Sequence, residues 1–217
     1  MPILSADTSP QTLILYSPSR RLMITTPTSE HDAQTTILRT DPAARRYLPS
    51  HLPETMIIDE ARERRESRAK DQSILDLNVL IQQEVDGPYI ELAGSLGISK
   101  IYKNQRSCEI GILVATKYHG QGFASEIFFT VWTYLFEGLK LHRVSLETAM
   151  ANAPMRGWLE KVAGVVQEGM RRECWTDNEG GWIDVASYAV LDWEWRERVK
   201  GRLEARIGLE NRRIKPA

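Results

Sequence analysis

The sequence predicts a single mixed α/β (α+β) domain with a central sheet and flanking helices. Segments with strand character alternate with helical segments, and between residues 109 and 191 the order is strand, loop, helix, strand, helix, hairpin. The 217 residues suffice for one domain with a full hydrophobic core. A content of 42% apolar and 26% charged residues is ordinary for a soluble globular protein.

The first half of the chain contains four short apolar runs separated by turn-forming residues, which predict strands. These runs are residues 13–16, 22–24, 74–82 and 89–103. The last two runs are joined by a predicted turn at Asp86-Gly87-Pro88. Residues 28–73 are polar and favour helix, most clearly from Asp59 to Lys70, where Glu and Arg recur at helical spacing and indicate a solvated helix.

The second half begins with a predicted strand, Glu109–Thr116, which is followed by a glycine-containing loop, Lys117–Gly122. Apolar residues then recur at the spacing of one helical face over Phe123–Glu137, and Gly138 provides a C-terminal stop. Alternating apolar and polar residues predict a further strand over His142–Thr148.

Downstream of that strand, Asn152 is placed to cap a short helix, and two more strands are predicted near residues 165–174 and 182–191. A last amphipathic segment carries apolar residues on one face, namely Trp195, Val199, Leu203 and Ile207. We therefore expect one domain over residues 1–195, and a basic amphipathic C-terminal extension over residues 196–217 that carries no catalytic residue.

Composition gives no indication of several other classes of function. The net charge of −1 does not suggest binding to nucleic acid or to an anionic membrane. Cys108 and Cys174 favour two reduced thiols over one disulfide, and the four histidines are scattered, so we expect no metal site. The N-terminus lacks the features of a signal peptide, and no apolar run approaches the roughly 18–20 residues that span a bilayer. We expect a cytoplasmic protein.

The most informative feature is the loop between the predicted strand Glu109–Thr116 and the helix that follows. Gly120 and Gly122 allow the backbone to approach a ligand closely and to aim successive N–H groups into one concavity. The helix start adds unpaired N–H groups and a positive dipole end, which favour a pyrophosphate. The loop lacks the lysine of a P-loop and the third small residue of a dinucleotide fingerprint. A simple tight turn would also explain two glycines, so the loop alone leaves both interpretations open.

The surrounding residues resemble the GNAT acetyltransferase superfamily, in particular the branch of the ribosomal-protein N-terminal acetyltransferases RimJ and RimL. The coenzyme A loop of that family reads Arg/Gln-x-x-Gly-x-Gly/Ala, and His119–Ala124 fills it here. Further segments match the branch in the same order: Arg20-Arg21-Leu22, Glu109-Ile110-Gly111, Ser125-Glu126, Leu141-His142-Arg143-Val144, Asn152, Leu159-Glu160-Lys161, Gly164, Glu168-Gly169 and Tyr188. The resemblance is dense over residues 109–192.

The resemblance implies that acetyl-CoA is the cosubstrate and that two parallel strands, here residues 109–116 and 142–150, splay apart to hold its pantetheine arm. It implies that a backbone N–H near Leu113 or Val114 polarises the thioester carbonyl, which gives Val114 a catalytic role. It also implies that the Asn152 side chain contacts the pantetheine. The coenzyme-binding residues implied in this way are Ile112, Leu113, Val114, His119, Gly120, Gln121, Gly122, Phe123, Ala124 and Asn152.

Four positions depart from the pattern of the family. His119 replaces the usual Arg or Gln, which questions a charged side-chain contact to the pyrophosphate but leaves the backbone contacts. Met155 stands where the branch often has Ser, and Val165 stands where Phe is usual. Leu159 occupies the position of a tyrosine general acid in many members, so we assign no tyrosine acid there.

The reaction needs an unprotonated amine. A lysine-like amine has a pKa of about 10.4, so a base or a water chain is required near neutral pH. Glu109 is the first candidate base, and the alternative for it is a strand-end carboxylate that faces solvent or an arginine. Glu147 and His142 are further candidates. No cysteine is placed near the loop to form an acyl-enzyme, which favours direct attack in a ternary complex.

We therefore expect an N-acetyltransferase that moves the acetyl group of acetyl-CoA to a primary amine, either a small molecule or a protein N-terminus. The alternative is a non-catalytic acyl-CoA-binding or regulatory domain. The apolar stripe of the C-terminal extension leaves three destinations open: the domain's own surface, a second subunit in a homodimer, or an acidic partner. We expect no membrane partner and no nucleic acid.

Overall fold

The computed structural model of the protein describes residues 13–82, 87–177 and 179–214, with residues 209–214 described by their backbone only. The described residues form one α/β domain in which helices cover both faces of a single mixed sheet, as the sequence predicts. None of the helices within these ranges is long and apolar enough to span a membrane.

In the described part of the chain the sheet contains eight strands, and its parallel pair lies near the centre. The strands are β1 (Ile14–Tyr16), β2 (Leu22–Thr25), β3 (Leu75–Gln82), β4 (Tyr89–Tyr102), β5 (Ser107–Val114), β6 (Arg143–Ala149), β7 (Val166–Thr176) and β8 (Trp182–Leu191). Their spatial order is β1-β2-β3-β4-β5-β6-β8-β7. Neighbouring strands are antiparallel except for β5 and β6, which run parallel.

The helices lie between these strands in the chain and pack on the two faces of the sheet. They are α1 (Asp32–Thr40), α2 (Pro42–Arg45), α3 (Ile58–Ala69), α4 (Phe123–Thr133), α5 (Ala153–Gly157), α6 (Asp192–Glu194) and α7 (Lys200–Ile214). Wider, π-type turns extend α4 and α5 and join α6 to α7, over Tyr134–Gly138, Trp158–Ala163 and Trp195–Val199.

Strand β5 contributes to two buried clusters because successive side chains of a strand point to opposite faces of a sheet. Cys108 and Ile110 join the main cluster, which contains Phe128 of α4. Leu113 joins a smaller cluster on the other face, where it packs with Leu38 of α1. We call these two sides of the sheet the α4 face and the α1 face.

Strands β5 and β6 pair over only part of their length. The register joins Ser107 to Arg143, Cys108 to Val144 and Glu109 to Ser145. Beyond these pairs β5 continues to Val114 and β6 to Ala149 with no further pairing between them among the described residues. The two strands therefore splay apart over their carboxyl-terminal halves, as the family resemblance implies.

Several predicted element limits shift by a few residues. The strand predicted over Glu109–Thr116 begins and ends earlier, because residues 116–118 form a short 3₁₀ turn that leads into the glycine loop. The predicted turn at residues 86–88 lies partly outside the described residues. The predicted cap at Asn152 is confirmed, since its Oδ1 accepts a hydrogen bond of 3.2 Å from the N–H of Met155.

The C-terminal segment packs against the domain itself. Val199 and Leu203 are fully buried in the main cluster, although the sequence left a second subunit and an acidic partner open as their contacts. Arg202 Nε donates a hydrogen bond of 3.1 Å to the carbonyl oxygen of Val162 at the end of the α5 extension. The apolar stripe is therefore covered within the chain, and the domain boundary at residue 195 stays a prediction.

Candidate active site

The glycine loop presents a row of unpaired backbone donors. Gly120 and Gly122 have φ angles of 73° and 80°, in the left-handed region that costs other residues about 1–2 kcal/mol. The five consecutive N–H groups from Gly120 to Ala124 make no hydrogen bond within the described part of the chain. They lie at the N-terminus of α4, where the helix dipole adds positive potential. Such a row is suited to bind a phosphate or a pyrophosphate.

Two side chains of the loop make hydrogen bonds, one to the end of β5 and one within the loop itself. His119 Nε2 lies 2.9 Å from the carbonyl oxygen of Val114, so the tautomer with a proton on Nε2 donates a hydrogen bond to the end of β5. Gln121 Nε2 donates a hydrogen bond of 2.6 Å to the carbonyl oxygen of Lys117. The His119 side chain, which departs from the family pattern, thus forms a hydrogen bond to β5. Its contact with a coenzyme stays a prediction.

A buried ion pair connects the loop and α4 to the N-terminal hairpin. The Glu126 side chain is fully buried, and its Oε1 lies 2.7 Å from Nε of Arg21, although this N–H is not aimed at the oxygen. Ser19 Oγ donates a hydrogen bond of 2.5 Å to the other carboxylate oxygen of Glu126. Arg21 Nη2 also donates to the carbonyl oxygen of Gln121 at 3.1 Å, and the guanidinium lies 4.6 Å from the ring centroid of Phe123. Arg21 therefore supports the loop directly.

Backbone groups of β5 line one side of the gap between the splayed strands. The N–H of Ala115 donates to the carbonyl oxygen of Ala93 on the β4 side at 2.9 Å. Because backbone groups alternate in direction along a strand, the N–H of Leu113 also faces β4, while those of Ile112 and Val114 face the gap. The N–H groups of Leu113 and Val114 are the two possible donors to a thioester carbonyl that the family resemblance implies. Of these two, that of Val114 faces the gap and that of Leu113 does not.

Asn152 lies on the other side of the gap, just after β6. Its Oδ1 caps α5, and its Nδ2 donates a hydrogen bond of 2.9 Å to Oγ1 of Thr148. One N–H of the side-chain amide is left for the pantetheine contact that the family resemblance implies.

Two carboxylates lie beside the splay on the α1 face. Glu109 Oε2 accepts a hydrogen bond of 2.8 Å from Nζ of Lys100, and this bond raises the pKa of Lys100. Glu147 of β6 is paired with Arg171 of β7. Glu109 therefore has a basic partner, Lys100, that could explain its position without a catalytic role. The role of Glu109 as a base stays a prediction.

His51 is a site residue that the sequence offers only as one of four scattered histidines. Its ring packs edge-on against Trp175 at a centroid distance of 4.4 Å, and its carbonyl oxygen accepts a hydrogen bond of 3.0 Å from Nη2 of Arg39. Partial burial lowers the pKa of His51, and the charges of Glu109 and Glu147 oppose this shift. The neutral imidazole is favoured near pH 7 and adds a further candidate base. The irregular loop between α2 and α3 gave no periodic signal for it.

The remaining candidate base from the sequence, His142, lies away from the splay, and the thiol of Cys108 on β5 is buried. His142 Nδ1 lies 3.1 Å from Oδ1 of Asp192, at the start of β6 and therefore at the end of the sheet opposite to the splay. Cys108 is buried, and burial raises the pKa of its thiol to about 12, so it is not a nucleophile near neutral pH. Among the described residues no group of three or more His, Cys, Asp or Glu side chains is placed to hold a metal ion.

Comparison with known protein sequences identifies a family. The acetyltransferase (GNAT) domain model matches residues 21–164. A Bacillus subtilis protein with the provisional name ribosomal N-acetyltransferase YdaF is 31% identical over 104 residues, which are 48% of this chain and 56% of that protein. The chain thus spans about half the length of the curated relatives that it matches.

Solved structures share the fold. Mycobacterium smegmatis RimJ in complex with CoA-disulfide has a TM-score of 0.73 at 20% identity, over 90% of this chain and 93% of that chain. Spermidine N-acetyltransferase from Vibrio cholerae in complex with CoA and spermine has a TM-score of 0.70 at 22% identity, over 82% of this chain and 99% of that chain. Identities this low carry the fold alone. Because the domain model covers the splayed strands, the glycine loop and α4, the chain belongs to the GNAT acetyltransferase family.

Proposed function

We propose that the protein transfers the acetyl group of acetyl-CoA to a primary amine. One observation carries the proposal, namely the unpaired N–H groups of residues 120–124 at the start of α4, beside the gap between β5 and β6. The N–H row suits a pyrophosphate, and the gap suits an extended arm that ends in a thioester. A simple tight turn would need neither feature.

In this proposal each wall of the gap has a separate task. The N–H row from Gly120 to Ala124 holds the pyrophosphate, and the backbone of Ile112 and the side chain of Asn152 hold the pantetheine from opposite sides. The N–H of Val114, which faces the gap, donates to the thioester carbonyl oxygen in this proposal as negative charge develops there. Loss of such a donor typically lowers the rate by about 10²–10³.

The acceptor approaches from the α1 face, where the side chains of Glu109 and His51 lie near the splay. One of these groups takes a proton from the incoming ammonium, directly or through water, so that the free amine can attack the carbonyl carbon. The new C–N bond forms as the C–S bond breaks, and the thiolate leaves with a proton from water or from the amine. The burial of Cys108 supports direct transfer without an acyl-enzyme.

The acceptor and the cellular context are proposed from separate observations. YdaF is named for the ribosome and the Vibrio enzyme for spermidine, so both a protein N-terminus and a small amine remain acceptors to test. A cytoplasmic location is supported by the two free cysteines. A homodimer is supported by exposed apolar side chains on the last two strands of the sheet, among them Met170 of β7 and Trp182 of β8.

The coenzyme assignment is tested at the loop. Gly122→Asp should abolish acetyl-CoA binding, because it places a side chain in the left-handed region and a negative charge against the phosphates. Gly120→Val should also abolish it by blocking the approach of the backbone. The matched control is Gly201→Asp, at an exposed position with no atom within 4 Å of an added Cβ.

Calorimetric titration with acetyl-CoA measures binding, and thiol release across a panel of amines measures transfer. Normal binding by either loop variant would show that the loop is not the pyrophosphate site. Binding by the wild type with no thiol release on any amine would favour the alternative of a non-catalytic acyl-CoA-binding domain.

A further inference from the structure

The centre of the α1 face carries a trough whose floor has no side chains. Gly97 of β4 and Gly111 of β5 are register partners, and Asp76 of β3 is the partner of Gly97 on the other side. Gly111 is exposed, and no atom lies within 4 Å of the point where its Cβ would be. A bare floor in the middle of an eight-stranded sheet leaves room for a ligand. Because β5 also lines the splay, the trough opens onto the site of acetyl transfer.

One side of the trough carries more positive than negative charge, because three arginines lie around the carboxylate of Asp76. Asp76 accepts hydrogen bonds from Nε and Nη2 of Arg68 at 2.5 and 2.7 Å, and from Nη1 of Arg64 at 3.1 Å. Arg68 also lies 3.4 Å from the position of an added Cβ on Gly97, so this group borders the floor. Arg39 brings a third guanidinium. It has no ion pair with any described carboxylate, and its Nε is buried without a hydrogen-bond partner.

The electrostatics of Arg39 agree with this geometry. Burial lowers its pKa to about 10, the charges of Arg64 and Arg68 act in the same direction, and Asp76 opposes them. A guanidinium that is removed from water without a counter-ion is unfavourable, and an anion beside it would relieve that cost. Nε of Arg39 is a buried donor without a hydrogen-bond partner among the described residues, and an anion in the trough would balance the charge of this guanidinium.

The other side of the trough carries the groups suited to an amine. Glu109 lies two residues before Gly111 on β5 and on the same face, which is a separation of about 7 Å along the strand. The basic group is anchored on β3, two strands or roughly 10 Å across the sheet from β5. His51 connects the two sides, because Arg39 donates to its carbonyl oxygen while Glu109 and Glu147 act on its ring.

We propose that the acceptor is a primary amine that also carries an anionic group, a carboxylate or a phosphate, about 5–10 Å from the amine nitrogen. Arg39, with Arg64 and Arg68 behind it, holds the anionic group, and the amine lies beside Glu109 at the splay. This inference rests on the proposed acetyl transfer and specifies its acceptor. A polyamine would place a second ammonium group against the guanidiniums, where like charges repel.

The test uses amines of matched length that differ only in the far group. The probes are 5-aminopentanoate, the neutral 5-amino-1-pentanol and the diamine cadaverine. Each is titrated into the CoA-bound protein, so that binding is measured without turnover. We expect 5-aminopentanoate to bind at least about tenfold more tightly than either of the others, a preference worth about 1.4 kcal/mol.

Arg39→Gln should remove this preference, while binding of CoA stays unchanged, because Arg39 has no ion pair to lose. Arg39→Lys should keep part of the preference, since it retains the charge without the planar fork. The matched control is Arg62→Gln on the exposed side of α3, and it should behave as the wild type. Among the described residues this arginine forms an ion pair with Asp59 alone.

Further arms distinguish the sources of the anionic group. Aminobutyl phosphate tests a phosphate, and a short peptide with aspartate as its second residue, compared with the same peptide carrying lysine there, tests a protein N-terminus. A preference for the anionic member of any pair, lost in Arg39→Gln, supports the proposal. Tighter binding of cadaverine, no binding of any anionic probe, or an unchanged preference in Arg39→Gln overturns it. Failure of CoA itself to bind would instead refute the proposed acetyl transfer.

Discussion

The ion pair between Arg21 and Glu126 determines how firmly the coenzyme loop is held. Arg21→Met keeps much of the apolar stem but leaves a fully buried carboxylate with the hydroxyl of Ser19 as its remaining partner. Breaking one side of a buried pair costs about 3–5 kcal/mol. The Arg21 side chain keeps 20% exposure, so we place the cost near the lower end, at about 3 kcal/mol.

Urea denaturation measures this loss. With a slope of about 2–3 kcal/mol per molar urea, the unfolding midpoint of Arg21→Met should fall by about 1–1.5 M. The double variant Arg21→Met with Glu126→Leu replaces the pair by apolar groups of similar size and should recover most of the stability. Arg62→Met, at the exposed pair with Asp59, is the surface control and should cost less than about 1 kcal/mol. A single variant that loses less than about 1 kcal/mol would refute the reasoning, as would a double variant no more stable than Arg21→Met.

The same variants separate folding from positioning of the loop. The double variant regains stability but still lacks the hydrogen bond from Arg21 to the carbonyl oxygen of Gln121. It should therefore bind acetyl-CoA more weakly than the wild type in a calorimetric titration. Equal affinity would mean that Arg21 stabilises the fold without shaping the coenzyme site.

Three further predictions concern chemistry, pH and the C-terminus. Glu109→Gln should lower turnover mainly below the pKa of the acceptor amine and leave acetyl-CoA affinity unchanged, and an unchanged pH–rate profile would return Glu109 to a structural role. The folded-state pKa of His51 is lowered by burial below its unfolded value near 6.5, so the unfolded chain takes up the proton first and stability is lost as the pH falls below about 6.5. His51→Gln should lose less stability than the wild type over this range in thermal melts, and equal losses would contradict the assignment. Truncation after Arg196 should unfold the domain, which circular dichroism measures.

The coenzyme loop was predictable because its signals are local. The glycines, the preceding strand and the helix start lie within a short stretch, and Gly120 and Gly122 both adopt the left-handed conformation that favours glycine there. The partner of Glu109 was not predictable in the same way. Lys100 reaches it from β4, next to an irregularity in the register between Ser99 and Tyr102 that no periodic pattern reveals.

The trough on the α1 face also lay beyond the sequence pattern, because its parts come from separate elements. Arg39 lies on α1, His51 in a loop without periodicity, and Gly97 and Gly111 on two strands whose register brings them side by side. A glycine in a strand signals a bulge or a close approach, but it does not say which ligand or chain approaches. An anionic group on the acceptor is indicated by two observations together: the register of the two glycines, and the lack of an ion pair for Arg39 among the described residues.

The C-terminal segment shows the same limit for an amphipathic helix. The sequence reveals the stripe of Val199, Leu203 and Ile207 but not the surface that covers it, and the structure buries all three to at most 4% exposure. Burial of side chains of this size contributes about 1.5–3 kcal/mol each, or roughly 4.5–9 kcal/mol for the three together. This sum is comparable to the whole stability of a domain, about 5–15 kcal/mol, so loss of the segment after Arg196 should abolish folding and coenzyme binding together. Truncation after Gly208 keeps the three side chains and should melt like the full chain. A protein truncated after Arg196 that keeps its melting temperature and binds acetyl-CoA would show that the helix is a dispensable extension after all.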